Sequence, residues 1–176
     1  HCTQEVYDEI GRQMQAAVSA AGADQCSVNA DVFVDGNKVS IIEMGGRTGA
    51  TCIPELISIY YGFDFYEQML RSALGEQVEF NCTGSQPCMA KLLLSPVEGK
   101  ITSIDKEGIR ALEEQGVTVS LDFPAGHKVF AMADGTDRIG HIIACTEDES
   151  QLDAWMMQVY RCICVDGVTL EDIWKR

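Results

Sequence analysis

Positive charge is what this sequence has least of. Thirteen lysines and arginines face 27 aspartates and glutamates in 176 residues, leaving a net charge of -14 and an isoelectric point near 4.4. That balance argues against direct binding to nucleic acid or to an anionic membrane, both of which are met by basic patches. No apolar run approaches the roughly eighteen residues of a membrane-spanning helix and no signal-peptide pattern is present, so a soluble cytoplasmic protein is expected. Eight cysteines occur, at positions 2, 26, 52, 82, 88, 145, 162 and 164, but no Cys-x-x-Cys. Without that zinc-site spacing, the expectation is reduced thiols in a reducing compartment. A glycine-rich loop ending in lysine is missing too, which excludes a P-loop nucleotide site. There is no internal repeat, no low-complexity run, and no Ser/His/Asp or Cys/His arrangement with defensible spacing. His127 and His141 therefore read as surface or hydrogen-bonded side chains.

Hydrophobic residues make up 46% of the chain, enough for a substantial core in one large domain or one and a half small ones. The most informative stretch is Asn29 to Glu55. Two apolar strands meet at Asp35-Gly36-Asn37, each carrying one acid, followed by a Gly-rich loop with Arg47 and a helix opening near Pro54. Asp31 and Glu43 lie twelve residues apart and so have equal parity. They share a face only if the hairpin has an odd-length loop or a bulge; a strict two-residue turn would oppose them. Two acids aimed at one point beside an arginine suit a divalent cation carrying a polyphosphate. Glu43 closes the apolar run Val39 to Ile42. Such a run is expected to be covered on at least one face, where an unpaired carboxylate is costly. Gly45, Gly46 and Gly49 around Arg47 mark backbone that approaches something closely.

The order of acid, hairpin, apolar strand, Glu43-x-x-x-Arg47, Gly-containing loop, Ile53-Pro54-Glu55-Leu56 and a later Tyr61-Gly62-Phe63-Asp64 resembles the C-terminal half of an ATP-grasp domain. It is most similar to the branch holding L-amino-acid ligases, carbamoyl-phosphate synthase and biotin carboxylase. The resemblance implies that Asp31 and Glu43 ligate the Mg²⁺ (or Mn²⁺) of ATP. It implies that Phe33 lies under the adenine and that Arg47 anchors the acceptor substrate or the acyl-phosphate. Many family members carry Asn two residues after the second acid as a third metal ligand; here that residue is Gly45, as in the amino-acid ligase branch.

Along the rest of the chain, residues 1–22 read as a helix capped by Thr3 and stopped by Gly22, with Val6, Ile10, Met14 and Ala17 as its buried stripe. Two short helices, Ile53 to Tyr61 and Phe65 to Leu74, are separated by Gly62. Tyr60, Tyr61, Phe63, Phe65 and Tyr66 form an aromatic cluster expected in the core. The turn-rich segment from Asn81 to Pro87 marks a subdomain edge. Beyond it the pattern predicts strands over 89–94, 100–104, 117–121, 128–132, 140–144 and 161–165, with helices over 106–115 and 151–160. The expected fold class is α+β: residues 1–76 as the C-terminal part of an ATP-grasp domain, then residues 77–176 as a small α+β extension.

The lid lysines and substrate domain of a complete ATP-grasp enzyme are not in this sequence, so it is expected to be a C-terminal fragment, inactive alone and partnered by the remaining N-terminal part of the same enzyme. The parent is expected to activate a small-molecule carboxylate with MgATP and join it to an amine or similar nucleophile. The alternatives are carbamoyl-phosphate synthase or biotin carboxylase-type chemistry on bicarbonate, and a non-catalytic binding module, which Gly45 favours.

Overall fold

A computed structural model describes residues 2–176. The chain divides into two compact units, His1–Ser58 with Phe63–Thr83, and Ile59–Gly62 with Gly84–Arg176. No helix among the described residues is long and apolar enough to cross a membrane.

The first unit opens with helix α1 (Gln4–Ala21). Thr3 caps it, its hydroxyl accepting from the Val6 amide, and Gly22 ends it in the left-handed region at φ 64°. Val6 is buried while Ile10, Met14 and Ala17 are half-buried. Strands β1 (Asn29–Asp35) and β2 (Lys38–Gly45) form a two-stranded antiparallel hairpin turned by Gly36-Asn37. The hairpin lays its inner face, Val39 included, against α1, and Gln13 Nε2 donates to the Val39 carbonyl at 2.9 Å.

Helices α2 (Ile53–Tyr61) and α3 (Phe65–Ala73) follow. Asp64 caps α3 by accepting from the Glu67 amide, and Gly62 and Gly75, at φ 74° and 79°, make the turns that the sequence assigns to them. The expected aromatic core does not form. Phe63 packs against Phe65 and Phe80, and Tyr60 against Tyr61, but Tyr60, Tyr61 and Tyr66 are exposed. Among the described residues of the first unit, Val6, Val39, Cys52 and Pro54 are the buried apolar side chains, and Phe63 and Phe65 are only half-buried.

The second unit is built on two small sheets. Strand β7 (Gly140–Ala144) lies between β3 (Met89–Leu93) and β5 (Val117–Leu121), antiparallel to both. In the other sheet, β4 (Gly99–Ile104) pairs with the short β6 (Lys128–Val129) and with β8 (Ile163–Val165), which pairs with β9 (Val168–Thr169). Helices α4 (Lys106–Glu113), α5 (Glu149–Arg161) and α6 (Leu170–Trp174) complete the unit. Leu93, Ile142, Leu152, Val159, Ile163 and Leu170 are fully enclosed. Tyr160 is buried with them; its hydroxyl accepts from the Leu94 amide at 3.0 Å, which satisfies the one polar atom it carries inward.

The predicted strand over 128–132 stops at Val129, and the Met132 amide instead donates to the Ser95 carbonyl at 2.8 Å. Arg161 and Cys162, predicted to begin a strand, end α5: the Cys162 amide caps it by donating to Val159. The observed class is α+β, as expected.

Candidate functional site

The β1–β2 hairpin combines both geometries that the sequence left open. Asp35 pairs with Lys38 across a two-residue turn, and the regular register continues to Val32 opposite Ile41. There the register shifts by one, so that Asp31 faces Glu43 directly. The extra residue is Ile42. Without this bulge Asp31 would face Ile42 and Glu43 would turn to the opposite side of the sheet. With it, the two carboxylates stand as a cross-strand pair on one face, which is the exposed face of the hairpin. Phe33, two residues along β1, shares that face and is 60% exposed.

Coverage of Glu43 does not occur. Val39 is buried and Ile41 half-buried, but Ile42 is 67% exposed and Glu43 is exposed with it. The apolar run is covered on its α1 side only, and the bulge turns its last members outward.

The loop after β2 presents Arg47, whose Nη1 donates to the Thr48 carbonyl at 2.8 Å and whose side chain is exposed. Gly49 holds the loop tightly to the base of β1. A Cβ there would sit 2.8 Å from Ile53 Cδ1, 2.9 Å from Asn29 Oδ1 and 3.1 Å from Ile53 Cβ, so any larger residue forces these side chains to shift. Gly45 is different, since its nearest neighbour for a Cβ would be Arg47 Cγ at an ordinary 3.8 Å. The loop closes with Thr51 and Cys52, both left-handed at φ 58° and 64°. Two such residues without glycine cost on the order of 1–2 kcal/mol each. They turn the chain into α2, where the Cys52 carbonyl accepts from the Leu56 amide at 2.9 Å. Glu55 in the first turn of α2 accepts from the Tyr66 hydroxyl at 2.8 Å.

Sequence reasoning missed two features here. The bulge at Ile42 has no residue signature, because register follows from what each face packs against. The left-handed Thr51-Cys52 pair is also invisible, since neither residue type favours that region. His127 and His141 belong to the other unit. His127 stacks on Phe123 with centroids 3.9 Å apart, and His141 lies mid-strand in β7. Among the described residues no group of three or more His, Cys, Asp or Glu is placed to hold a metal ion, so the hairpin offers two carboxylates and no third protein ligand of those types.

No family model matches the chain. The uncharacterized protein y4rH of Sinorhizobium fredii is 25% identical over 163 residues, which are 92% of this chain and 34% of that protein. Among solved structures, phosphoribosylglycinamide synthetase from Anaerococcus prevotii aligns with a TM-score of 0.77 at 21% identity over 93% of this chain and 42% of its own. L-amino acid ligase from Bacillus licheniformis aligns at 0.73 and 18% identity, covering 94% and 43%. Biotin carboxylase from Campylobacter jejuni aligns at 0.68 and 18% identity, covering 97% and 39%. The chain carries part of the fold of these proteins, matching the ATP-grasp fragment fold expected from the sequence. It spans less than half the length of each of these proteins.

Proposed function

We propose that the chain forms one side of the active site of an ATP-dependent carboxylate–amine ligase. The observation that carries this reading is the Asp31–Glu43 pair, set face to face by the Ile42 bulge on an exposed surface that also holds Phe33.

Two carboxylates fit a Mg²⁺ or Mn²⁺ ion that arrives with a nucleotide, because Mg²⁺ is commonly held by one or two protein carboxylates with phosphates and waters completing its shell. Asp31 and Glu43 would hold it, and when bound it would offset charge on the phosphoryl group being transferred. The exposed ring of Phe33 offers an apolar surface to the adenine of ATP. Arg47, on a loop pinned at Gly49, presents a planar fork to a carboxylate or an acyl-phosphate. The carboxylate is activated as its acyl-phosphate, and an amine then displaces phosphate. The rest of the same enzyme would cover the nucleotide from the other side. In keeping with this, the first unit buries little apolar matter and leaves Tyr7, Ile42, Leu70 and Leu74 exposed.

The test uses the full-length enzyme, assayed for ADP release that requires both MgATP and a carboxylate, with hydroxylamine added to trap an acyl-phosphate as the hydroxamate. The proposal expects carboxylate-dependent ADP and hydroxamate together, and a higher Mg²⁺ requirement in Asp31→Asn and Glu43→Gln. ADP release without hydroxamate, or wild-type Mg²⁺ dependence in both variants, would overturn it.

A further inference from the structure

The β3–β7 ladder runs from Met89 opposite Ala144 to Leu93 opposite Gly140. Extended by one position, the same register sets Cys88 opposite Cys145. The phase of the ladder is read on the other side of β7. There the Asp122 amide donates to the Ile139 carbonyl at 3.0 Å, in line with the β5–β7 register. Across the trans peptide the Gly140 amide then points the other way, so residues 140, 142 and 144 turn their backbone groups toward β3 and residues 141 and 143 toward β5, while Ile139, just before the strand, divides its own, its amide donating to the Leu93 carbonyl at 2.8 Å. Carried one position past the ladder, that phase sets Cys88 and Cys145 at a non-hydrogen-bonded position, a kind of pair whose Cα atoms typically lie about 4.5 Å apart with both side chains on one face. That spacing lies within the roughly 4.4–6.8 Å that a disulfide spans.

Their surroundings differ in a useful way. Cys145 is exposed, in the bend just past β7, and Cys88 is half-buried just before β3. Burial pushes the Cys88 thiol up, and the charge of Cys145 pushes it further, so the two sulfurs sense each other. In the ladders of the described residues no other two cysteines are placed opposite one another.

We propose that Cys88 and Cys145 are a cross-strand dithiol, a modification site that a small disulfide of the glutathione class closes reversibly. The exposed Cys145 thiolate attacks one sulfur of the reagent, forming a mixed disulfide and releasing one thiolate. Cys88 then loses its proton to solvent and attacks the Cys145 sulfur, releasing the second thiolate. Two protein thiols give up two electrons and two protons, and the reagent's single disulfide becomes two thiols. The product ties the end of the turn-rich segment before β3 to the connection between β7 and α5.

The test is to incubate the full chain with oxidised glutathione, alkylate the remaining thiols, and map a non-reducing digest by mass spectrometry. The expected product is one linked peptide pair holding Cys88 and Cys145, two hydrogens lighter than the sum and released by dithiothreitol. Cys88→Ser is expected to stop at a glutathione adduct on Cys145, and Cys145→Ser to give neither link nor adduct at Cys88. Cys145 is exposed, so that second variant keeps the test decisive should Cys88→Ser fail to fold by circular dichroism. Alkylation of both thiols in the treated wild type, a lasting adduct on Cys145 with Cys88 still alkylated, or links scattered among other cysteines would each overturn the proposal.

Discussion

Asp31 and Glu43 oppose each other directly across the β1–β2 ladder, so two like charges occupy adjacent positions on one exposed face. Like charges directly opposite destabilise a strand pair. In metal-free buffer, Glu43→Gln is therefore expected to raise stability, by on the order of a few tenths of a kcal/mol, read as a higher thermal midpoint. The same change removes a charged ligand, so in the full-length enzyme it should raise the Mg²⁺ concentration needed for turnover. A metal-binding pair predicts this opposition between stability and activity, as seen where sites hold unfavourable charge for function. A lower midpoint without metal would show that Glu43 has a structural partner instead.

Gly45 and Gly49 lie four residues apart in the same loop, yet substitutions there should differ sharply. A Cβ at Gly45 meets only Arg47 Cγ, at 3.8 Å, so Gly45→Asn should fold normally. It would add an amide oxygen two residues from Glu43 and is expected to lower the Mg²⁺ requirement of the full-length enzyme. Gly49→Ala drives its methyl to 2.8 Å from Ile53 Cδ1 and 2.9 Å from Asn29 Oδ1, and is expected to cost about 1–3 kcal/mol by denaturant titration. Equal midpoints for Gly49→Ala and wild type would mean the loop is not pinned there.

Much of this architecture is written in local signals, and what is not follows from long-range packing. Thr3 and Gly22 bound α1 because a hydroxyl and a left-handed glycine settle helix ends within a few residues. Asp166-Gly167 followed by Thr169 also announces a turn and a cap, and β9 and α6 form there, with the Thr169 hydroxyl accepting from the Asp172 amide at 3.1 Å. Both elements lie beyond the strand expected over 161–165. The facing of Asp31 and Glu43 could be posed as a question of parity but not answered, since the bulge depends on how Val39 and Ile41 pack inward while Ile42 turns out. The acidic types at positions 31 and 43 and the arginine at 47 were legible; their exposure was not.

In the second unit, Glu171 is 7% exposed and holds Arg161 through Nε at 2.7 Å and Nη2 at 2.9 Å, with Lys175 Nζ at 2.7 Å. The Arg161 hydrogen bonds, followed by that of Lys175, lower its carboxyl to about 2. A carboxyl depressed on folding contributes stability that is fully present above its unfolded value, near 4.3, and is lost as pH falls through its folded value. The window is therefore about pH 4.5 down to 2. Glu171→Gln is expected to flatten the fall in stability across that window relative to wild type. Salt should shrink the difference, because both cationic partners are largely exposed. Parallel curves for the two proteins would show that the pair contributes nothing measurable.

Arg47 is where a structural role and a catalytic one separate most cleanly. Its guanidinium donates to the Thr48 carbonyl in an exposed loop and appears in none of the ion pairs among the described residues. Nothing in that setting requires a planar fork, so Arg47→Lys should leave stability within about 0.5 kcal/mol of wild type. A carboxylate or acyl-phosphate bound through two oxygens does require it, because a lysine ammonium is a point charge that cannot bridge both. In the full-length enzyme Arg47→Lys is expected to lower turnover at least about tenfold, equivalent to roughly 1.4 kcal/mol of transition-state stabilisation. The split between kcat and KM locates the contact: loss in kcat places the arginine on the acyl-phosphate, and a raised KM for the amine places it on the acceptor's carboxylate. Unchanged kcat and KM would assign the acceptor to another residue and leave Arg47 as a loop side chain.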